Sequence, residues 1–145
     1  MNYKKILAIS SPGGHWIQLN RLKPAFKDHE LIMVKSSTSP NKDSKYFITE
    51  ASRWNKLLLV KQAIQVLRCL ISIKPQLIIT TGASVGLWAI LFGRLLGAKC
   101  IWIESLANSE KLSLSGRLIK PFSNIHLTQW PELAKGKTQY KGSVL

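Results

Sequence analysis

Residues 77–103 read LIITTGASVGLWAILFGRLLGAKCIWI, and the order of apolar runs and glycines in this stretch decides the fold. Leu77 to Thr80 is a short apolar run of strand length that stops before Gly82. From about Ser84 to Leu96 the residues form a helix, and Gly97 stands where a helix ends on a glycine C-cap. Cys100 to Ile103 is a second run of strand length. Strand, helix and strand in this succession make a crossover unit, which joins parallel strands with a right-handed sense.

The same alternation continues in both directions. Toward the N-terminus, Pro75 closes a strong helix over residues 56–74, and Leu31 to Val34 reads as a strand. Between them, residues 35–55 are polar and basic and read as a long mobile loop with little periodic structure. Trp16, Leu19, Leu22 and Phe26 recur at helical spacing in a helix that ends near Asp28. Ile6 to Ile9 is a buried strand bounded by Lys4-Lys5 and by Ser10-Ser11-Pro12-Gly13-Gly14. Toward the C-terminus, a loop with Glu104, Ser105 and Asn108 leads to a short helix near Ser115 to Lys120, ended by Pro121. Ile125 to Thr128 then supplies a fifth strand. The pattern predicts an α/β fold with a mainly parallel sheet and helices on both faces.

The chain has 145 residues, 46% hydrophobic and 19% charged, which suits one folded domain over residues 1–145. Cys69 and Cys100 both sit in apolar stretches and read as buried reduced thiols of a cytosolic protein, not as a disulfide. The apolar run after the basic start is too short for a signal-peptide core, so nothing predicts export. Twenty-one Lys and Arg face seven Asp and Glu, a formal charge of +14, so the surface attracts anions: phosphates, acidic lipid or nucleic acid.

In an open parallel sheet, ligands bind beyond the carboxyl ends of the strands, where strand order reverses. Two loops fall at that edge. Ser11-Pro12-Gly13-Gly14-His15 and Thr81-Gly82-Ala83-Ser84-Val85-Gly86 each combine glycines with a helix start, which brings backbone amides close to an anion. Neither has the G-x-G-x-x-G pattern, and Lys35 ends the second strand where an acid would hold a ribose, so a nicotinamide cofactor is disfavoured. Gly136-Lys137-Thr138 resembles the end of a P-loop, but Pro131 occupies the place of its first glycine. None of the seven acids forms a D-x-D or other close carboxylate pair able to hold a divalent ion, so neither a metal nor a cofactor is expected. His15, at a helix start, is the candidate general base, and Glu104 ends a strand at the same sheet edge, where it would orient an acceptor hydroxyl or His15. His126 reads as a core residue.

The helix at Leu57 to Ile73 carries Lys61 and Arg68, each costing roughly 2.5–3.5 kcal/mol near a bilayer centre, so it should not span a membrane. Lys61, Gln65, Arg68 and Ser72 form one polar stripe, with apolar residues over most of the remaining circumference. That surplus apolar surface, with Leu58 and Leu59 and edged by Arg53, Lys56, Lys61 and Arg68, suits an anionic membrane interface. Burial against a partner subunit is the alternative. Leu87, Trp88, Ile90, Leu91, Phe92, Leu95 and Leu96 make the next helix apolar nearly all round, so it too is a candidate for lipid or partner contact.

Four segments, SPGGHWIQL, ITTGASVGL, IWIESLANSEKLSLSGRLIKP and LTQWPEL, together resemble the membrane-associated, acceptor-side subunit of two-component GT-B glycosyltransferases. That group includes the anchor subunit of the dolichyl-diphosphate-linked N-acetylglucosaminyltransferase and bacterial capsule or exopolysaccharide relatives. The resemblance runs in order from residue 6 to about residue 144. It implies a Rossmann-like fold equivalent to the N-terminal half of a GT-B enzyme, binding a polyprenyl-diphosphate-linked saccharide at the cytoplasmic membrane face. A separate subunit would bind the UDP-sugar, and this chain would be inactive by itself. On this pattern Gly13, Gly14 and His15 form the acceptor loop, with His15 as base of an inverting transfer. Gly82, Ser84 and Gly86 line the diphosphate side, Glu104 and Ser105 complete the cleft, and Asn108 through Leu114 form a mobile loop over it. Trp130, Pro131 and Glu132 lie near the partner-facing edge. Strand one begins at once, which departs from the eukaryotic form with its N-terminal transmembrane helix. The alternative function is a non-enzymatic basic module that binds nucleic acid, but no reading motif supports it and the aromatics lie mostly in apolar helices.

Overall fold

The computed structural model describes residues 5–39, 45–52 and 54–143. Its strands are β1 (Lys5–Ser10), β2 (Glu30–Ser37), β3 (Ile48–Thr49), β4 (Leu77–Thr80), β5 (Lys99–Ile103), β6 (Ile125–Thr128) and β7 (Thr138–Tyr140). They form one parallel sheet in the order β3-β2-β1-β4-β5-β6-β7. The chain moves outward from β1 through β2 to β3, then returns to place β4 on the other side of β1. Strand order therefore reverses between β1 and β4, and a crevice opens at their carboxyl ends.

The two-residue period of the strands divides the core between the two faces of the sheet. Ile6, Ala8, Leu77, Ile79 and Ile103 point to one face and pack with Leu19 of helix α1 (Gly14–Arg21). Leu7, Ile9, Ile78, Cys100 and Trp102 point to the other. There they meet Val66, Cys69, Leu70 and Ile73 of α2 (Lys56–Ile73), Val85, Ala89 and Ile90 of α3 (Ala83–Leu95), and Ile119 of α4 (Leu114–Ile119). Helices on both faces are thus observed as the alternation predicts.

Helix ends follow local chemistry. The Asn55 side chain accepts from the Leu58 N–H at 3.1 Å and caps α2, whose far end turns through Lys74 at a φ of 54° before Pro75. Gly97, at a φ of 91°, follows α3 as expected. The helix expected to reach Asp28 stops at Arg21, because Pro24 cannot supply an N–H and its ring opposes the carbonyl four residues back; Lys23–Phe26 continue as a 3-10 turn. Likewise α4 begins at Leu114, capped by Ser113 Oγ on the Gly116 N–H at 2.9 Å, and runs into a 3-10 turn at Lys120–Phe122. The expected loop over 35–55 is shorter than its composition suggests. Strand β2 continues to Ser37, and Ile48 and Thr49 pair with Ser36 and Ser37. Residues 40–44 and 53 of that stretch lie outside the described residues.

Candidate functional site

A cavity of about 290 Å³ lies at the carboxyl ends of the central strands, lined by residues from the loops after β1, β4 and β5. It brings together His15, Gly82, Ser84, Glu104, Ser105 and Asn108, all named as site residues from the sequence, with Thr81 and Ser113 from the two expected loops and with Ala51 and Ser115, for which no site role was expected. His15 opens α1 and is bonded to the β4 loop twice. Its Nδ1 lies 2.9 Å from the Thr81 carbonyl, and Thr81 Oγ1 donates to the His15 carbonyl at 2.6 Å. A carbonyl only accepts, so Nδ1 carries the hydrogen and Nε2 is left to accept a proton.

Gly82 is required beside this imidazole. Its φ is 128°, and a Cβ there would stand 3.0 Å from His15 Cε1. Ala83, next in the chain, also has a positive φ of 69°, so backbone strain is concentrated at the cavity wall. Across the cavity, Ser84 Oγ lies 2.8 Å from Gln62 Oε1 and 3.2 Å from the Ala51 carbonyl.

Glu104 is 1% exposed, and its carboxylate is held from three directions. Trp102 Nε1 donates to Oε2, the Ser113 N–H donates to Oε1 at 2.6 Å, and Ser113 Oγ donates to Oε2 at 2.9 Å. A Cβ on Gly116 would collide with this carboxylate. Glu104 therefore fastens the start of α4 to the end of β5. It is not bonded to His15 among the described residues, contrary to one of the two roles expected of it.

Three expected glycines stand apart from the cavity lining. Gly13, at a φ of 81°, and Gly14 start α1 and lie outside the lining residues. Gly86 is buried inside α3, where a Cβ would collide with Thr80, so its role is close packing of helix on strand. Trp130 is half-buried, with Nε1 donating to the Leu106 carbonyl at 2.8 Å, while Pro131 and Glu132 are exposed in the 3-10 turn Pro131–Leu133. Gln18 and Gln129, which lie in two of the segments that carry the resemblance but were given no role from the sequence, are both buried and tie α1 and the end of β6 to the 104–107 loop. The available signal was position: Gln18 follows His15 by one helical turn in an otherwise apolar-facing stripe.

Among the described residues, no group of three or more His, Cys, Asp or Glu is placed to hold a metal ion. Burial pushes the free thiols of Cys69 and Cys100 up to about 11, which keeps them protonated and poor nucleophiles at neutral pH. His126 is fully buried in β6, as expected of a core residue, and desolvation lowers its pKa below 6.5.

The exposed face of α2 differs from the expected one. Leu57, Val60, Ile64 and Ile71 are exposed, beside Lys61 and Arg68. Gln62, Val66, Cys69, Leu70 and Ile73, on the face opposite these exposed apolar side chains, are the buried ones, and Leu58 and Leu59 are half-buried. Gln65 is drawn out of the polar stripe by the Thr49 N–H, which donates to its Oε1 at 2.7 Å. Lys56 is exposed, and Arg53 lies outside the described residues. No helix among the described residues is long and apolar enough to cross a membrane.

Solved structures share this architecture. MurG of Acinetobacter baumannii superposes with a TM-score of 0.74 at 14% identity, over 95% of this chain and 45% of that one. A UDP-N-acetylglucosamine 2-epimerase from Rickettsia bellii gives 0.70 at 14% identity, over 99% and 46%. The fold is thus Rossmann-like and equivalent to one half of a GT-B protein. Among curated relatives, the UDP-N-acetylglucosamine transferase subunit ALG14 of Mus musculus is 32% identical over 108 residues, covering 70% of this chain and 43% of the relative. The subunit of the same name in Schizosaccharomyces pombe is 39% identical over 72 residues, covering 46% and 33%. The matched stretch thus spans less than half the length of each of these relatives. Residues 48–144 match the family described as "Oligosaccharide biosynthesis protein Alg14 like", and the chain belongs to that family.

Proposed function

We propose that the chain, as one acceptor-binding unit, is a subunit of a two-component glycosyltransferase and holds a polyprenyl-diphosphate-linked saccharide at the cytoplasmic face of a membrane. A separate chain binds the UDP-sugar. The observation that carries this reading is the cavity itself: His15, Gly82, Ser84, Glu104, Ser105 and Asn108 converge at the switch point of a sheet shaped like half of a GT-B protein. In the transfer, an acceptor hydroxyl oxygen attacks the anomeric carbon and the bond to UDP breaks with its electron pair leaving on UDP. The hydroxyl proton passes to His15 Nε2, the nitrogen left free by the Thr81 bond. Trp130, Pro131 and Glu132 form part of the edge that meets the donor-binding chain.

Charge and exposure support the membrane part. Residues 51–103 contain Arg53, Lys56, Lys61, Arg68, Lys74, Arg94 and Lys99 and not one acid. Trp54 and Leu57, 81% and 84% exposed, stand close in sequence to Ala51 of the cavity wall. Cations beside exposed apolar side chains suit an anionic lipid surface. The polymer served is a capsular or exopolysaccharide in this reading. Neither the cavity nor the family match favours the nucleic-acid alternative.

Initial rates with a UDP-sugar and a polyprenyl-diphosphate saccharide in anionic vesicles test the proposal. Turnover is expected from this chain mixed with its donor-binding partner and from neither alone. Full activity of either chain by itself overturns the split-enzyme reading.

A further inference from the structure

Hydrogen-bond polarity around the 104–107 loop can be assigned from groups whose role is fixed. The Leu106 N–H only donates, and it lies 3.2 Å from Gln18 Oε1. The Glu104 carbonyl only accepts, and Gln129 Nε2 lies 2.9 Å from it and 2.8 Å from Gln18 Oε1. Two donors converge on Gln18 Oε1, which fixes the orientation of that amide. Gln18 Nε2 consequently donates to Ser105 Oγ, 3.2 Å away. The Ala107 N–H, again only a donor, reaches the same oxygen at 3.2 Å. A serine hydroxyl has two acceptor positions and one hydrogen. Both acceptor positions of Ser105 are filled, and among the described residues nothing accepts its hydrogen.

We propose that Gln18 and Gln129 are positioning residues that convert the Ser105 hydroxyl into a hydrogen-bond donor facing the cavity, directed at an oxygen of the lipid-linked acceptor. The inference rests on the acceptor-side reading above. Ser84, across the cavity, provides the contrast. Gln62 Nε2 donates to the Thr49 carbonyl at 3.0 Å, so Gln62 Oε1 is an acceptor and takes the Ser84 hydrogen inside the protein. Ser84 and Ser113 thus spend their hydrogens inside the protein, whereas Ser105 keeps its own for a ligand. The cavity then offers one oriented donor, Ser105 O–H, and one oriented acceptor, His15 Nε2. Both depend on α1, since Gln18 lies one turn beyond His15 on the same helix. Gln18 fixes the loop wall relative to the base.

Gln18→Glu isolates this effect. A carboxylate still accepts from the Leu106 N–H and from Gln129, so two of the three bonds survive. It cannot donate, so Ser105 donates to it and turns its hydrogen away from the cavity. In the two-chain transfer assay, Gln18→Glu and Ser105→Ala are each expected to raise the acceptor KM about tenfold, the scale of one lost hydrogen bond, with kcat and the donor KM little changed. The double variant is expected to be no worse than the more impaired single variant. An unchanged acceptor KM in either single variant, or losses that multiply in the double variant, overturns the proposal. A second measurement needs no turnover. In the ¹⁵N-labelled chain alone, the side-chain amides of Gln18 and Gln129 are expected to exchange with solvent much more slowly than those of Gln139, which is exposed. Exchange as fast as that of Gln139 overturns the proposal. If the wild-type pair transfers no sugar, the acceptor-side reading fails while the amide exchange still decides the clamp.

Discussion

Gly82 shows how one missing side chain shapes the candidate site. At a φ of 128° it occupies backbone space almost closed to residues with a Cβ, and the imidazole of His15 packs 3.0 Å from where that atom would be. Gly82→Ala is therefore expected to lower unfolding free energy by about 1–3 kcal/mol in urea titrations. Displacing the base should also lower two-chain turnover by roughly a hundredfold. Native stability together with native turnover would contradict the packing argument. His126 makes a prediction in pH. The Gly116 carbonyl accepts from its Nε2 at 2.9 Å, so Nδ1 accepts from Thr138 Oγ1 at 3.0 Å, and the ring is neutral. Desolvation lowers its folded-state pKa below the ordinary 6.5, so below about pH 6.5 the unfolded chain takes up a proton that the folded chain resists. This contribution to stability is complete above that pH and is lost as pH falls, by at most about 1.4 kcal/mol per pH unit. Replacing it with Asn should flatten the pH dependence of stability below about pH 6.5, and an unchanged slope would contradict the assignment.

Helix α2 carries the predictions that belong to an element. Asn55 caps it, so Asn55→Ala should cost about 1 kcal/mol in denaturation measurements. Its exposed apolar side chains, Leu57, Val60 and Ile64, make a sharper case. The triple change of these residues to Glu is expected to leave the melting temperature nearly unchanged, because the buried face is untouched, and to abolish flotation with anionic vesicles. Retained flotation would move the membrane contact elsewhere. This helix also marks what periodicity could reveal. Its limits were legible from Pro75 and the apolar spacing, yet its buried face was not. Residues Gln62 and Gln65 look solvent-facing by composition, but β3 supplies the backbone groups of Thr49 that satisfy both. A two-residue strand gives no periodic signal, so the partner that turned the helix was invisible. The same holds for β7, whose Thr138, Gln139 and Tyr140 form no apolar run because the last two side chains are exposed at the sheet edge. Strands β4 and β6, by contrast, were legible residue for residue: β4 is a continuous run buried on both faces, and β6 alternates, with His126 and Thr128 buried.

At the scale of the whole molecule, the reversal of strand order between β1 and β4 places the loops of His15 and Gly82 side by side, and β5 adds the Glu104–Asn108 loop. The glycines and the terminal acid of β5 revealed that convergence in the sequence. What they could not reveal was polarity. Glu104 serves α4, and the oriented hydroxyl of Ser105 depends on two glutamines 111 positions apart, Gln18 and Gln129, brought together only by the fold. The central claim is that this half of a GT-B architecture holds the acceptor and leaves the donor to another chain. Equilibrium binding to the chain alone tests it most directly, with a short-chain polyprenyl-diphosphate saccharide and a UDP-sugar as the two ligands. The account predicts saturable binding of the lipid-linked saccharide, weakened about tenfold by Ser105→Ala, and no binding of the UDP-sugar. Saturable binding of the UDP-sugar without binding of the lipid-linked saccharide would contradict it.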